Sequence, residues 1–232
     1  VLVWSDEFDG TGSIDSSKWT TETGGGGWGN QEEQIYTSSS NNVRKEQNVL
    51  KIKVRKEANG TYTSARIITE DKFEFKYGRV EIRAKLPSVQ GSWPALWMLG
   101  ANLRDPSVGW PQCGEIDIME QFENKNSVHS TLHWKQANGE RALYGENTTN
   151  STSSNWHVYA LEWTPTSIKT YLDGNEFFSM NISGVGPYYP FNEDFFFIFN
   201  VAMGGTNGGV IDPNLQQGFV DAMEVDYIRV YQ

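Results

Sequence analysis

The chain has 232 residues, enough to bury one sizeable core, and a formal net charge of -10 from 19 Lys and Arg against 29 Asp and Glu. This charge excludes ready attraction to nucleic acid phosphates or anionic membrane surfaces, and no apolar run is long enough to span a bilayer. The single cysteine, Cys113, excludes an internal disulfide. We therefore expect one domain over residues 1–232, a monomer whose partners are neither nucleic acid nor membrane.

Alternation of apolar and polar residues with a period of two recurs along the chain and predicts half-buried β-strands. In chain order, the alternating segments are residues 49–54, 78–86, 128–134, 168–172 and 225–231. Turn signals separate them at Asn59-Gly60, Asn138-Gly139 and Asp173-Gly174, the last of which predicts a two-residue hairpin. No segment carries a convincing helical stripe. The pattern predicts an all-β chain, with two antiparallel sheets packed as a β-jelly-roll sandwich.

Two Gly-rich segments, residues 23–31 and 203–210, interrupt this pattern. Neither opens a helix or ends in the Lys-Ser/Thr pair that a phosphate-binding loop needs. Glycine lets the backbone come close to a bulky ligand, which is the use we predict for them. Aromatic residues make up 13% of the chain, and those in polar, Gly-rich segments suggest stacking on a flat ligand, although β cores also use aromatics.

The segment CGEIDIMEQ, residues 113–121, carries three acids: Glu115, Asp117 and Glu120. On a regular strand, Glu115 and Asp117 share one face, whereas Glu120 would point to the opposite, core-facing side with the isoleucines. An unpaired carboxylate buried there would cost several kcal/mol. We therefore predict a β-bulge near Met119, which returns Glu120 to the face of the other two acids.

Three carboxyl groups on one face cannot all ionise at their ordinary pKa values. One can stay protonated and act as an acid while another stays ionised as a nucleophile, which is the division that glycoside hydrolysis requires. Leaning together, the two glutamates could reach the spacing of roughly 5 to 5.5 Å that is typical of retaining glycosidases. The alternative is a solvated acidic face on an edge strand, but the isoleucines and Phe122 favour a central strand.

The same segment, extended to GWPQCGEIDIMEQ, resembles glycoside hydrolase family 16, specifically its bacterial laminarinase-like β-1,3-glucanases. GSWPALWMLG and KFEFKYGRVEIRAKLP before it and STLHW after it carry the same likeness, which runs from WSDEFDG to VDYIRVYQ. The resemblance implies a concanavalin A-like jelly roll with a concave substrate cleft, and hydrolysis with retention of configuration. It implies that Glu115 is the nucleophile, Glu120 the acid/base and Asp117 an assisting carboxylate.

The resemblance also implies a set of substrate-binding residues. Asn30 and Arg66 would contact glucose hydroxyls on the non-reducing side, and His133 would form a hydrogen bond near the acid/base. Sugar platforms would come from Trp93, Trp97 and Trp110, with a core position as the alternative for Trp97. His129 and His133 are four residues apart, but on a strand this spacing does not predict a zinc site.

A structural calcium ion on the convex side is a further implication of the resemblance. Asp226 would supply a side-chain oxygen, with backbone carbonyls near Glu7 and Asn48, which is the hard oxygen set that calcium takes. Asn48 stands where a glycine is expected, which weighs against the site. No cofactor is expected for catalysis.

We therefore expect an endo-hydrolase of β-1,3-glucans such as laminarin. It would be secreted or surface-exposed, because a polymer of that size is met outside the cell. The alternatives are a mixed-linkage β-1,3-1,4-glucanase, a galactan hydrolase and a non-catalytic glucan-binding lectin.

Overall fold

The computed structural model describes residues 1–149, 153 and 155–232, and most of its regular structure is β-strand. In chain order, the strands are β1 (Leu2–Asp6), β2 (Thr20–Glu22), β3 (Gln34–Tyr36), β4 (Val43–Lys45), β5 (Leu50–Lys56), β6 (Tyr62–Ser64), β7 (Arg66–Ile68), β8 (Gly78–Lys85), β9 (Ser92–Gly100), β10 (Glu115–Glu120), β11 (Val128–Lys135), β12 (Arg141–Thr148), β13 (Trp156–Trp163), β14 (Ser167–Leu172), β15 (Asn175–Asn181), β16 (Phe195–Met203) and β17 (Val220–Tyr231). A single-turn helix, α1, spans Gly205–Gly208, and short 3-10 turns lie at Gly27–Gly29, Ala101–Arg104 and Pro190–Asn192. No helix in these described ranges is both long and apolar enough to cross a lipid bilayer.

The strands of the described residues form two sheets. The outer sheet has the order β15-β14-β13-β8-β17-β5-β6-β3, with β1 added on β17 and β4 on β5. The cleft sheet has the order β12-β11-β10-β9-β16-β7-β2. Strands β13 to β15 and β9 to β12 pair with their chain neighbours, whereas β8 with β17 and β9 with β16 join distant parts of the chain. Two packed sheets with such crossovers are typical of a jelly roll, which confirms the predicted fold class. One detail differs from the prediction, since β3 pairs with β6 in parallel.

The core lies between the two sheets and is built from the inward face of each strand. On β8, Val80 and Ile82 are fully buried, while Glu81 between them faces outward. Large aromatic side chains, among them Trp19, Trp163 and Phe197, fill the same cluster. Burying one such side chain contributes about 1.5 to 3 kcal/mol. The period-two patterns therefore mark true strands, and many of the aromatics belong to the core rather than to a binding surface.

The hairpin predicted at Asp173-Gly174 is present between β14 and β15. Both residues have positive φ, 50° and 81°, as the two central residues of a type I′ turn require. The two strands pair in antiparallel register around it. The turn chemistry read from two residues therefore predicts this connection correctly.

The residues predicted to bind calcium have other partners. Oδ2 of Asp226 accepts a hydrogen bond from Arg83 Nη1 at 2.7 Å, and the carboxylate of Glu7 is paired with Arg229, also at 2.7 Å. Oδ1 of Asn48 accepts the backbone N–H of Gly10, from the N-terminal segment, at 2.6 Å. A guanidinium thus already neutralises the carboxylate expected to hold the ion. As arranged, the carboxylate of Asp226 is paired with Arg83 and does not fit calcium, whereas the backbone carbonyls expected near Glu7 and Asn48 are unaffected by these side-chain contacts.

Candidate active site

The carboxylate strand β10 contains the predicted bulge. Asp117 pairs with Trp97 of β9 and Met119 with Leu96, so β10 advances two residues while β9 advances one. Ile118 and Met119 are consecutive, yet both are buried in the core. The extra residue shifts the parity and turns Glu120 towards the face of Glu115 and Asp117. The prediction of a bulge near Met119 is confirmed.

The three acids line a cleft of about 860 Å³ on the face of the cleft sheet that points away from the core. The cleft contains all the residues predicted for catalysis and substrate binding, namely Asn30, Arg66, Trp93, Trp97, Trp110, Glu115, Asp117, Glu120 and His133. It crosses the sheet from β7 to β12, passing over β10 near its middle. A polymer could therefore extend past the carboxylates on both sides.

Glu115 and Asp117 form a compact cluster with His133. Nε2 of His133 lies 3.1 Å from Oδ2 of Asp117 and 3.8 Å from Oε1 of Glu115. The indole Nε1–H of Trp110 donates to Oε2 of Glu115 at 2.5 Å. Glu115 is therefore held from two sides, with its carboxylate facing the cleft.

The pKa values of the two buried acids are raised, and the causes are physical. Burial raises the pKa of Asp117 well above its ordinary value, and the charges of Glu115 and Glu120 add to the effect. Burial, followed by the charge of Glu115, raises the pKa of Glu120 to about 8. Near neutral pH, Glu120 is thus mostly protonated and suited to donate a proton, as a general acid must.

Trp93 differs from its predicted role as a sugar platform. Its side chain is buried, with 8% of the residue exposed. Its Nε1–H donates to Oε1 of Glu120 at 2.9 Å, a contact that lowers the pKa of this carboxyl and so opposes the effect of burial. Trp93 therefore orients the acid and moderates its pKa, and it offers little surface to a sugar.

The hydrogen bond of His133 goes to Asp117, which lies on the same strand and the same face as Glu120. The antiparallel register of β10 and β11 places His133 opposite Glu115 and places His129 opposite Glu120. Burial lowers the pKa of His133, so the ring is neutral at neutral pH. Its Nδ1 has no hydrogen-bond partner among the described residues, which favours the tautomer that carries the proton on Nε2 and donates it to Asp117.

The side of the cleft beyond β9 is built around Arg66. The guanidinium lies 4.8 Å from the ring centroid of Trp28 and 5.0 Å from that of Trp97. Its Nε donates to Glu22 at 2.5 Å, which fixes the guanidinium between the two rings. Trp97 is only half-buried and faces the cleft, so the core alternative for this residue is wrong.

Both Gly-rich segments reach the cleft. Trp28 and Asn30 come from the first and Thr206 and Asn207 from the second, and all four line the cleft. Sequence reasoning did not single out Trp28, although a tryptophan in the middle of TGGGGWGNQ was the available signal. It also missed Asn200, whose Oδ1 accepts the indole N–H of Trp97 at 2.7 Å. Other cleft residues that it missed are Phe122, Arg141 and Leu143.

Comparison with known proteins supports the resemblance to glycoside hydrolase family 16 that the sequence shows. The chain is 42% identical to a beta-glucanase of Rhodothermus marinus, over 100% of this chain and 85% of the relative. It is 38% identical to glucan endo-1,3-beta-glucosidase A1 of Niallia circulans, where it spans 100% of its own length but 38% of that longer protein. LamA from Z. galactanivorans, solved in complex with laminaritriose and laminaritetraose, matches with a TM-score of 0.89 and 39% identity, covering 100% of this chain and 98% of the other.

The family model described as glycosyl hydrolases family 16 matches residues 30–229. That range includes the bulged carboxylate strand and nearly every residue of the cleft. Since the model covers most of the chain and the relatives align over all of it, this chain belongs to glycosyl hydrolases family 16.

Proposed function

We propose that the chain is a retaining endo-hydrolase of β-1,3-glucosidic bonds in glucans such as laminarin. The observation that carries this proposal is the bulge in β10, which brings Glu115 and Glu120 to one face and leaves Glu120 protonated near neutral pH. Relatives named as glucan endo-1,3-beta-glucosidases, and a similar protein that binds laminari-oligosaccharides, support the choice of substrate.

In the first step, Glu120 donates its proton to the glycosidic oxygen while the carboxylate of Glu115 attacks the anomeric carbon, giving a covalent glycosyl-enzyme. Trp110 orients the attacking carboxylate, since its N–H donates to Oε2. The raised pKa of Asp117 favours its protonated form, whose side-chain hydrogen bond with Glu115 keeps the nucleophile in place.

In the second step, Glu120 has lost its proton and acts as a base on an incoming water molecule. Attack of this water on the anomeric carbon from the face that the leaving group vacated releases the sugar with retained configuration. The hydrogen bond from Trp93 supports the ionised form that this step requires. The same residue thus serves both halves of the cycle.

Endo action is supported by the extent of the cleft across the sheet on both sides of β10. Lining residues continue from Trp28 and Arg66 on one side of β10 to Arg141 and Leu143 on the other. A glucan chain can lie across the sheet with its ends outside the cleft, stacking apolar sugar faces on indole rings. Because such polymers are met outside cells, we propose an extracellular or cell-surface location and action as a monomer.

The test is release of reducing oligosaccharides from laminarin, measured beside lichenan and agarose with product analysis. We expect laminarin to be cut internally and faster than the other two. Preferred cleavage of lichenan would instead support the mixed-linkage alternative, and preferred cleavage of agarose a galactan hydrolase. No release from any of them by a folded protein would contradict the proposal.

Glu115→Gln separates an enzyme from a glucan-binding lectin. Removing the nucleophile leaves the shape of the cleft nearly unchanged, so we expect turnover to fall by about a thousandfold or more. Affinity for laminari-oligosaccharides should persist within a few-fold by calorimetry. A wild-type protein that binds these oligosaccharides equally well but shows no turnover would favour the lectin.

A further inference from the structure

Two cations face each other at one end of the cleft sheet. Lys135 on β11 and Arg141 on β12 are direct partners across the hairpin, which places their Cβ atoms about 5 Å apart. Lys135 shares the face of His133, two residues before it on the strand, and Arg141 itself lines the cleft. Like charges placed directly opposite each other destabilise a strand pair, so this pair requires an explanation.

The contacts of the two cations are all with uncharged groups. Nζ of Lys135 donates to Oε1 of Gln112 at 3.4 Å and lies 5.5 Å from the ring centroid of Tyr188. The guanidinium of Arg141 lies 5.7 Å from the ring centroid of Trp110. Within the described part of the chain, neither residue forms an ion pair with a carboxylate.

Among the described residues, every arginine other than Arg141 is paired with a carboxylate. Nη1 of Arg79 is 2.7 Å from the carboxylate of Glu162, and Nζ of Lys85 is 2.9 Å from that of Glu224. In a chain with a net charge of -10, acidic partners are plentiful. Arg141 therefore differs from the other arginines of the described residues, whereas Lys135 resembles Lys45 and Lys56, whose ammonium groups donate to backbone carbonyls.

Their position in the cleft assigns them to one side of the substrate. Asn30 and Arg66, expected on the non-reducing side, lie beyond β9, whereas β11 and β12 lie on the other side of β10. We propose that Lys135 and Arg141 form a subsite for an anionic substituent, a carboxylate or a sulfate, on a sugar of the leaving-group side. This inference deepens the proposed endo-hydrolysis and rests on it.

The chemistry of the two side chains suits such a group. A guanidinium donates two parallel hydrogen bonds to a carboxylate or sulfate, and the ammonium adds a compact positive charge. Trp110 lies beside Arg141, so a sugar stacked on this ring would carry its substituent towards the cations. At a separation of about 5 Å in a water-exposed site, each cation should raise kcat/KM for the anionic substrate about three- to fivefold at low ionic strength.

The experiment compares laminarin preparations that differ only in charge. Laminarin is oxidised at a small fraction of its C6 positions to carboxylates, and half of the batch is then converted to the neutral methyl ester. A lightly sulfated laminarin, compared with unmodified laminarin, tests the other anion. We expect the wild-type ratio of kcat/KM, carboxylate over ester, to be about tenfold in dilute buffer and to approach one in about 0.5 M salt, because salt screens exposed charges.

Variants then assign the effect to the two residues. Arg141→Gln and Lys135→Gln should each lower the ratio about threefold, and the double variant should lower it to one or below. Lys76→Gln is the matched control, since it removes one positive charge from an exposed position before β8, outside the cleft. Its activity and its ratio should equal those of the wild type.

A wild-type ratio of one or less, or a ratio that survives in the double variant or in high salt, would overturn the inference. Turnover of unmodified laminarin by the wild type reports on the proposed function separately. If that turnover is absent, binding of the carboxylate and ester oligosaccharides, measured by calorimetry in the wild type, gives the same comparison.

Discussion

The indole N–H of Trp93 should set the alkaline limit of activity, and Trp93→Phe tests this. In the wild type, the N–H donates to Oε1 of Glu120 at 2.9 Å and opposes the rise in pKa that burial causes. Phenylalanine keeps an aromatic ring in the buried position but removes the donor. The ionised form of Glu120 then loses a stabilising partner, so its pKa should move upward from about 8.

The size of the shift follows from the hydrogen bond that is lost. A hydrogen bond to a charged group contributes about 1.5 to 3 kcal/mol, and one pKa unit corresponds to about 1.4 kcal/mol. Partial replacement of the donor by water reduces the effect, so we expect a shift of about one unit. The second chemical step should slow as well, because the ionised base is less well oriented.

The assay is the pH dependence of kcat/KM on laminarin, whose alkaline limb reports the ionisation of the general acid in the free enzyme. Trp97→Phe is the matched control, since its indole N–H donates to Asn200 and not to a carboxylate. We expect the alkaline limb of the pH profile to move to higher pH in Trp93→Phe and to stay at the same pH in Trp97→Phe. An alkaline limb that stays at the same pH or moves to lower pH in Trp93→Phe would refute the role proposed for the Trp93 hydrogen bond.

Three further predictions concern stability, the sugar platform and calcium. Glu120→Gln should abolish hydrolysis but raise the free energy of unfolding at about pH 8 by about 2 to 4 kcal/mol. In the wild type, the pKa of Glu120 is higher in the folded than in the unfolded protein, so the protein loses stability as the pH rises from the unfolded-state pKa towards the folded-state pKa of about 8. Glu22→Gln should raise KM for laminari-oligosaccharides several-fold with a smaller change in kcat, because it releases Arg66 from between its two rings. EDTA should leave the thermal midpoint unchanged, because Asp226 is already paired with a guanidinium.

Each of the three has its own check. The stability difference for Glu120→Gln should vanish at about pH 4, where the carboxyl is protonated in both states, and a constant difference would contradict its electrostatic origin. Arg104→Gln removes a longer 3.4 Å contact to Glu22 and an exposed pair with Glu70, but it leaves the bond between Glu22 and Arg66 in place, so KM should stay nearly unchanged. A thermal unfolding midpoint that falls by several degrees in EDTA and recovers when calcium is added would instead support the predicted calcium site.

Much of the fold could be predicted from local patterns. Period-two alternation identified β5, β8, β11, β14 and β17 to within a few residues, except that β17 begins earlier than predicted. Strand position is a local property, since one face of each strand must be apolar for it to pack against the core. The parallel pairing of β3 with β6 could not be predicted, because short strands carry no signal for their partners.

The roles of individual cleft residues were harder to predict, because each depends on a neighbour from another strand. The register of β10 and β11 places the ring of His133 within hydrogen-bonding distance of Asp117. The position of Trp93 on β9 directs its indole N–H to Glu120, so this residue is a hydrogen-bond donor rather than the predicted sugar platform. Trp28 reaches Arg66 from a distant loop, a contact for which no spacing rule exists.

The sequence by itself determined the strands, the three acids and, by a parity argument, the bulge that unites them. Without a bulge, Glu120 would be buried without a partner, so the strand must contain one extra residue. This can be inferred from residues 113–121 alone. Only the tertiary structure decided which donor holds each acid, which cation neutralises Asp226, and that Lys135 and Arg141 face each other with no acidic partner among the described residues. Such pairings depend on register between strands that are distant in the chain, whereas alternation along one strand carries no information about its partner.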